Sequence, residues 1–128
     1  MLIFASKKES TFMLFILIVK ASKNSEAGQL PSPELMKAMD KYNEQLVDAG
    51  IRVMAKGLQP SSSGIRISFP QEGEKRVVTE GPFTPSQNLI AGFILIDVES
   101  REEAIRWAMQ MPDPQGHGEG QIELRQLF

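Results

Sequence analysis

The chain has 128 residues, which is enough to bury one hydrophobic core and too few for two. Its apolar content of 41% and charged content of 23% are typical of a soluble globular domain, and its net charge of −2 excludes the strong basic field that drives direct nucleic-acid binding. Because it contains no cysteine, disulfides, thiolate catalysis and Cys-ligated metal sites are excluded as well, and we expect a cytoplasmic protein.

The chain begins with a segment, 1–12, that we interpret as an addition ahead of the first structural element. Two lysines and the apolar run 13–19 resemble the start of a secretory signal. The run ends at Lys20 with no cleavage site after it, and it is far shorter than the ~20 residues of a membrane helix. We therefore predict a buried strand, no membrane segment, an alternative translation start at Met13 and one domain over 13–128.

The first half of this domain predicts a strand, a helix and a second strand. The apolar run over 13–20 is typical of a strand covered on both faces, and a polar loop follows it. Ser32 as N-cap and Gly50 as a left-handed stop delimit a helix over 33–49, after which 51–58 alternates as a strand. One stripe of the helix is apolar and is predicted to be buried: Leu35, Met39, Tyr42 and Leu46.

The second half predicts a hairpin, a strand, a helix and a final strand. Residues 65–69 alternate as a half-exposed strand and pair with 76–79 in the hairpin. A continuous apolar run, 93–98, predicts a second strand that is covered on both faces. A capping box begins a helix over 101–111, and 122–128 forms the last strand.

Without the hairpin, the order of elements is β-α-β-β-α-β, which is the order of the ferredoxin-like α+β fold. Right-handed crossovers place 13–19 and 93–98 in the centre of the sheet and 51–58 and 122–128 at its edges. Charged side chains agree with this placement, because they occur on the predicted edge strands: Arg52, Lys56, Glu123 and Arg125.

The second face of this sheet has no predicted cover. Two helices shield only one face, whereas the central strands are apolar on both, which leaves a bare patch of about 400 Å². Patches of that size rarely stay exposed on a monomer. We therefore expect a homodimer in which two copies pack sheet on sheet, with the inserted hairpin completing the closure or wrapping the partner.

Several short motifs give the chain a family likeness. They are Met39-x-x-Tyr42-Asn43-Glu44-x-Leu46-x-x-Ala49-Gly50, Glu80-Gly81-Pro82-Phe83, Ala91-Gly92-Phe93 and Ile122-Glu123-Leu124-Arg125. With these motifs the chain resembles the YCII-related, or DGPF-domain, family over nearly its whole length from Met13 onward. The resemblance implies a dimeric α/β barrel built from ferredoxin-like subunits, in agreement with the uncovered sheet face.

The resemblance also implies two kinds of function. Relatives include aromatic-ring breakdown enzymes that eliminate halide and proteins that resemble muconolactone isomerases, whereas many others are encoded beside sigma-factor genes. In some members a His–Asp pair near the first strand is implicated, but the loop 21–25 contains no histidine, so that pair does not carry over. Glu80 stands where the family name has aspartate, which keeps a carboxylate at the turn with one added methylene.

His117 is the only histidine and the first candidate for catalysis. In its glycine-rich loop it would act as a general acid or base, with Asp113 or Glu119 setting its tautomer. The alternative is an exposed loop histidine without a fixed partner. As metal ligands the same three side chains have loose spacing and only one imidazole, so we expect no metal; without a phosphate-binding loop we expect no cofactor either.

Six further side chains are candidates for a ligand site. Lys20 and Tyr42 would reach a cleft beneath the hairpin, the tyrosine as a catalytic group, unless they are a snorkelling lysine and a core tyrosine. Glu80 would be either catalytic or an anchor for the Gly-Pro-Phe turn. Arg66 and Arg125 would bind an anionic ligand, although exposed strand arginines usually face water. Phe83 is a further ligand-binding candidate.

Functions from different classes follow from these candidates. The first is a small-molecule enzyme of the lyase or isomerase kind, which moves a proton on a small organic acid bound in a cleft near the dimer interface. The alternative is a non-catalytic regulatory or accessory module associated with sigma-factor systems. A purely oligomeric role is the third.

Overall fold

The computed structural model describes residues 12–128, apart from the side chain of Gln87. The N-terminal extension predicted over 1–12 thus lies outside the described residues, except for Phe12. Six strands and three α-helices follow in the described part: β1 Met13–Lys20, α1 Lys23–Glu26, α2 Pro33–Asp48, β2 Arg52–Gly57, β3 Ile65–Ser68, β4 Val77–Glu80, β5 Ile90–Val98, α3 Arg101–Met109 and β6 Ile122–Gln126.

Four strands form one antiparallel sheet in the order β2-β5-β1-β6. The central pair is β1 and β5, in register from Met13 opposite Val98 to Val19 opposite Gly92, and β2 and β6 are the edges. This is the ferredoxin-like order, so the predicted α+β fold class and the predicted strand positions are confirmed. In the described part of the chain the sheet stays open, with two free edges, and is not closed into a barrel.

Helix α2 begins and ends at its capping residues. The Ser32 hydroxyl accepts a hydrogen bond from the Leu35 backbone N–H at 3.1 Å. Gly50, at φ +74°, takes the left-handed conformation that follows the last helical turn. The helix buries Tyr42 and Leu46 against the sheet, as its apolar stripe predicts.

Helix α3 covers the other half of the same sheet face. The Ser100 hydroxyl accepts from the Glu103 backbone N–H, and the Glu103 carboxylate accepts from the Glu99 backbone N–H. Ala104 is fully buried, and its small side chain lets the helix lie close to the strands. The core beneath both helices consists of Phe15, Leu17, Tyr42, Leu46, Ile51, Ile94, Ile96, Val98 and Ala104.

The segment predicted as a loop, 21–30, contains the short helix α1. The Ser22 hydroxyl accepts from the Ser25 backbone N–H, and the Ser25 hydroxyl accepts from the Ser22 backbone N–H, which caps the helix reciprocally. A single turn is too short to show the 3.6-residue apolar period, and none of its residues is buried. This helix positions the segment that leads into α2.

The sheet face away from the helices is also apolar. The register places Ile16 opposite Leu95 and Ile18 opposite Phe93, and all four side chains are half-buried. Because side chains alternate along a strand, these four lie on the face opposite to the core residues of the same strands. The central strands are therefore apolar on both faces, as predicted.

The inserted hairpin forms a separate two-stranded sheet of β3 and β4. Its apolar side chains are open to solvent, with Ile65 63%, Ile67 52% and Val78 63% exposed. The prediction that β3 is half-exposed is therefore wrong for the single subunit, where every residue of both strands is exposed. The physical reason is that neither the helices nor the main sheet covers the apolar side of the hairpin.

Candidate ligand-binding cleft

A cleft of about 1280 Å³ opens beside α2 at the β2 edge of the sheet. It lies between α2, the strands β2 and β5, the segment 24–32 and the loop 114–117. It is wide and open compared with a typical small-molecule pocket. Within the described chain no residue of the hairpin 65–80 lines it, so the expected position beneath the hairpin is corrected to a position beside α2.

The wall formed by α2 and β2 is mixed in character. Leu35 and Met39, the half-buried part of the α2 apolar stripe, give it an apolar surface together with Ala55. The Arg52 guanidinium donates a 3.3 Å hydrogen bond to the side-chain oxygen of Asn43, which orients the cation on this wall. Three further charged residues line the cleft: Asp40, Glu44 and Lys56.

The loop before β6 is organised around the Asp113 carboxylate. Its Oδ1 accepts the backbone N–H groups of Gln115 at 3.0 Å and Gly116 at 3.1 Å. Burial raises the pKa of this carboxyl, but hydrogen bonds from the amides of Gln115, Gly116, Gly118 and Gly120 outweigh burial, so the net pKa is lowered. The backbone of Gly120 lies close to this carboxylate, because a Cβ added at Gly120 would lie 2.0 Å from Asp113 Oδ1.

The Gln115 side chain ties this loop to the end of β1. Its amide nitrogen donates to the Lys20 backbone carbonyl at 3.0 Å, and its amide oxygen accepts the Ser22 hydroxyl at 2.8 Å. These partners are 93 and 95 residues away in the chain. No local pattern marks a loop glutamine for such a role, and the sequence did not predict it.

His117 lines the cleft and lies near the middle of the same loop. Its backbone has φ +59°, between Gly116 at +80° and Gly118 at +73°. A residue with a side chain rarely adopts this left-handed conformation, because it is sterically strained. The imidazole is exposed, so a ligand in the cleft has access to the predicted catalytic residue.

The structure does not pair Asp113 with His117 as predicted for a catalytic dyad. The carboxylate of Asp113 accepts its hydrogen bonds from backbone amides, and Asp113 lines a separate groove of 570 Å³ between α3 and β6. Glu119, the other predicted partner, is exposed. Among residues 12–128, no group of three or more His, Cys, Asp or Glu side chains is placed to hold a metal ion.

Tyr42 lies in the core and does not line the cleft. It is 2% exposed, and its hydroxyl donates a 2.6 Å hydrogen bond to the backbone carbonyl of Trp107. Burial raises the pKa of this phenol to about 12. The alternative considered for this residue, a core tyrosine with one hydrogen bond, describes its position.

The other predicted site residues also lie outside the cleft lining. Glu80 ends β4, pairs with Ile65 and is exposed. The Arg66 guanidinium lies 4.0 Å from the centroid of the Phe83 ring, so the structure brings these two predicted ligand-binding residues together beside the hairpin. Lys20 ends β1 and is half-buried.

The Gly-Pro-Phe turn has a structural partner. A Cβ on Gly81 would lie 1.7 Å from the Ser61 backbone oxygen, so only glycine fits there without displacement. The Ser61 hydroxyl accepts the Phe83 backbone N–H at 2.9 Å and donates to the Glu26 carboxylate, which also accepts the Ser61 N–H at 2.9 Å. The carboxylate that anchors this turn is therefore Glu26, whereas the sequence suggested Glu80.

The antiparallel β2-β5-β1-β6 sheet with two long helices on one face defines the class of ferredoxin-like α+β domains. The family model of the YCII-related domain matches residues 13–127, and the chain therefore belongs to the YCII-related family. The resemblance drawn from the short motifs is confirmed. A search of curated proteins found no match. In residues 12–128, no helix combines the length and the apolar character needed to cross a membrane.

Proposed function

We propose that this protein binds a small organic acid in the cleft beside α2 and moves a proton on it, as a lyase or an isomerase does. The observation that carries the proposal is the placement of His117 on the cleft wall by an anchored loop, in a backbone conformation that is strained for histidine. Imidazole is the side chain best suited to general acid or base catalysis near neutral pH.

Arg52 is the group that we assign to the carboxylate of the ligand. A guanidinium has five N–H donors in one plane, so it binds a carboxylate while one donor bonds to Asn43. Leu35 and Met39 provide an apolar surface for the carbon skeleton. Two acidic side chains, Asp40 and Glu44, line the same wall. They favour a ligand that also has a hydroxyl or amino donor, and they disfavour polyanions.

We also propose that the partner is a second copy of the chain, packed on the open sheet face and the hairpin. The hairpin exposes five large apolar side chains, and soluble monomers rarely leave such patches open. Lys56 and Phe93 are register partners on the open face, and both also line the cleft. The cleft therefore reaches the proposed interface at the β2 edge. The five hairpin side chains are Ile65, Ile67, Phe69, Val77 and Val78.

A thermal-shift screen of aromatic and small aliphatic carboxylic acids tests the binding proposal. An acid present at 100 times its Kd adds ~2.7 kcal/mol of stability and raises the Tm. Arg52→Gln should weaken binding by about ten- to hundredfold, because a charge-assisted hydrogen bond is lost. Arg106→Gln removes an exposed arginine of α3 outside the cleft and should leave the affinity unchanged.

Proton transfer is tested on an acid that binds. In deuterium oxide, NMR should show exchange of the C–H proton next to the carboxylate in wild-type protein, slowed by about 10²- to 10⁴-fold in His117→Ala. Unchanged exchange in His117→Ala would contradict the catalytic role. Binding that survives Arg52→Gln but is lost in Tyr42→Phe or Glu80→Gln would move the site away from this cleft.

A non-catalytic regulatory or accessory module, associated with sigma-factor systems, is the second candidate function. The exposed apolar hairpin favours it, because such a surface suits a protein partner. Acids that bind without any proton exchange in wild-type protein, or silence across the whole panel, would support the module over the enzyme.

A further inference from the structure

In the loop between α3 and β6, backbone N–H groups surround one carboxylate. Such an arrangement of amides is called a nest, and nests also bind free anions. Two amide N–H groups, those of Gln115 and Gly116, donate to the same oxygen of Asp113. The amides of Gly118 and Gly120 also lower the pKa of this carboxyl, and a Cβ on Gly120 would lie 2.0 Å from its Oδ1. Both ends of the loop therefore converge on a single side chain.

The convergence of both ends of the loop depends on an unusual backbone path. Three successive residues, Gly116, His117 and Gly118, have positive φ angles. The two glycines adopt this conformation without steric cost, whereas His117 is strained in it. The close approach of Gly120 to the Asp113 carboxylate depends on this path, because the three residues lie between Gly120 and Asp113, whereas the Gln115 and Gly116 amides precede the path.

We propose that Asp113 is the positioning residue of His117: its carboxylate fills the nest and holds the backbone that presents the imidazole to the cleft. The catalytic value of this positioning rests on the function proposed above, whereas the effect on the loop does not. Asp113 lines the groove between α3 and β6, and His117 lines the cleft, so the aspartate acts through the backbone and touches no ligand there.

The same geometry makes the loop sensitive to acid. The bonds to backbone amides outweigh burial and lower the pKa of Asp113 from 3.8. A carboxylate whose pKa is lower in the folded than in the unfolded chain stabilises the folded loop fully at a pH above the unfolded pKa. This stabilisation is lost as the pH falls through the pKa of the folded state. The contribution of Asp113 to loop order should therefore be complete in the neutral range and decline only as the pH falls through the lowered folded pKa. Arg101 is the other charged residue lining the same groove.

The test compares wild-type protein with Asp113→Ala by NMR and by amide hydrogen exchange. Because His117 is the only histidine, its ring signals identify it directly. Emptying the nest should speed exchange of the amides of 115–120 by about ten- to hundredfold and move the ring signals to their positions in an unstructured peptide. Glu119→Ala, which removes an exposed carboxylate from the same loop, should behave as wild type.

Chemical rescue separates the role of the charge from simple packing. Sodium formate should restore slow exchange and native ring signals to Asp113→Ala in a saturable way, because formate is a carboxylate small enough for the empty nest. Sodium chloride at equal ionic strength should not. Asp113→Asn keeps one acceptor oxygen but not the charge, so at neutral pH it should hold the loop only as well as wild-type protein does in acid. It should also ignore formate and show no further acid sensitivity.

Unchanged exchange and ring signals in Asp113→Ala would overturn the inference. So would a disordered loop that formate fails to restore, because packing and not charge would then hold it. If Asp113→Ala does not fold, the acid titration of Asp113→Asn decides: an acid-sensitive loop in that variant contradicts the proposal, and an insensitive one supports it. None of these measurements uses a ligand in the cleft. A thermal-shift screen of carboxylic acids without a hit would therefore contradict the proposed function but not the positioning role of Asp113.

Discussion

Tyr42 and His117 are the two residues whose surroundings most clearly limit what their side chains do. The phenol is sealed in the core and bonded to the Trp107 carbonyl, and its pKa of about 12 keeps it protonated at neutral pH. The imidazole is exposed to the cleft on a constrained loop. In the proposed function, proton transfer is therefore assigned to His117 and not to Tyr42, which stabilises the fold.

The raised pKa of Tyr42 predicts an alkaline limit of stability. The folded pKa of about 12 lies above the ordinary 10.0, so the neutral phenol stabilises the fold fully below pH 10 and less as the pH rises towards 12. A difference of two units between the folded and the ordinary pKa corresponds to roughly 2–3 kcal/mol of unfolding free energy. Denaturant titrations between pH 8 and pH 12 should show this loss.

Tyr42→Phe is the matched control, because the chain has no second tyrosine. The variant should lose about 0.5–1.5 kcal/mol at pH 7, since the hydrogen bond from Tyr42 is lost while the Trp107 carbonyl keeps the Gln110 N–H at 3.1 Å. It should also lack the extra decline between pH 10 and pH 12. Parallel curves for the two proteins across that range would contradict the burial argument.

Among the elements, those set by local sequence were predicted well. Strand β1, Met13–Lys20, coincides with the predicted strand, and α2 ends one residue before the predicted end, because apolar runs and caps are local signals. Helix α1 was missed, since one capped turn shows no periodicity. The exposure of β3 was misjudged, because alternation indicates which side is apolar and not whether anything covers it.

The candidate site was less predictable than the elements, because distant segments assemble it. His117 was found as the single histidine of a glycine-rich loop. Arg52 was interpreted only as an edge-strand charge, and its position beside Asn43 requires the packing of β2 against α2. Gln115 bonds to residues more than 90 positions away, as the 93 and 95 separations show, so no window of sequence reveals it.

The contact between Gly81 and Ser61 predicts how the Gly-Pro-Phe turn responds to substitution. Gly81→Ala places a Cβ 1.7 Å from the Ser61 backbone oxygen and must displace the turn together with β4. We expect a loss of about 2–4 kcal/mol in denaturant unfolding. Ser61→Ala should cost about 1–3 kcal/mol, because Glu26 and the Phe83 N–H lose their shared partner.

Gly57→Ala provides the control for that prediction. This glycine is also in an edge element, yet its nearest neighbour would lie 3.9 Å from the added Cβ, which is ordinary contact. Its stability should stay within about 0.5 kcal/mol of wild type. Equal stability of Gly81→Ala and Gly57→Ala would show that the turn tolerates the methyl group.

At the scale of the whole molecule, two apolar surfaces have no cover from residues 12–128: the sheet face away from the helices and the hairpin. We expect sedimentation velocity to show a dimer at micromolar concentration. Ile67→Lys places a charge on the hairpin and should weaken the dimer about tenfold or more. Val47→Lys is the matched control, because Val47 is 50% exposed on α2 against 52% for Ile67, but lies on the helix side.

A wild-type chain that sediments as a monomer at tens of micromolar would contradict the dimer. So would equal dissociation in the two lysine variants, because the hairpin would then have no special part in association. Neither result bears on the positions of Arg52 and His117, which line the cleft within one chain.

The claim on which the proposed function depends is that the cleft beside α2 brings a carboxylic acid to His117. Its most direct test is the ¹H–¹³C NMR signal of the single imidazole, followed at pH 7 while the acid with the largest thermal shift is titrated. We expect the ring signals to move saturably, with the Kd of the thermal shift, and to respond far more weakly in Arg52→Gln than in Arg106→Gln. Ring signals that stay fixed while the acid saturates the protein would contradict the claim.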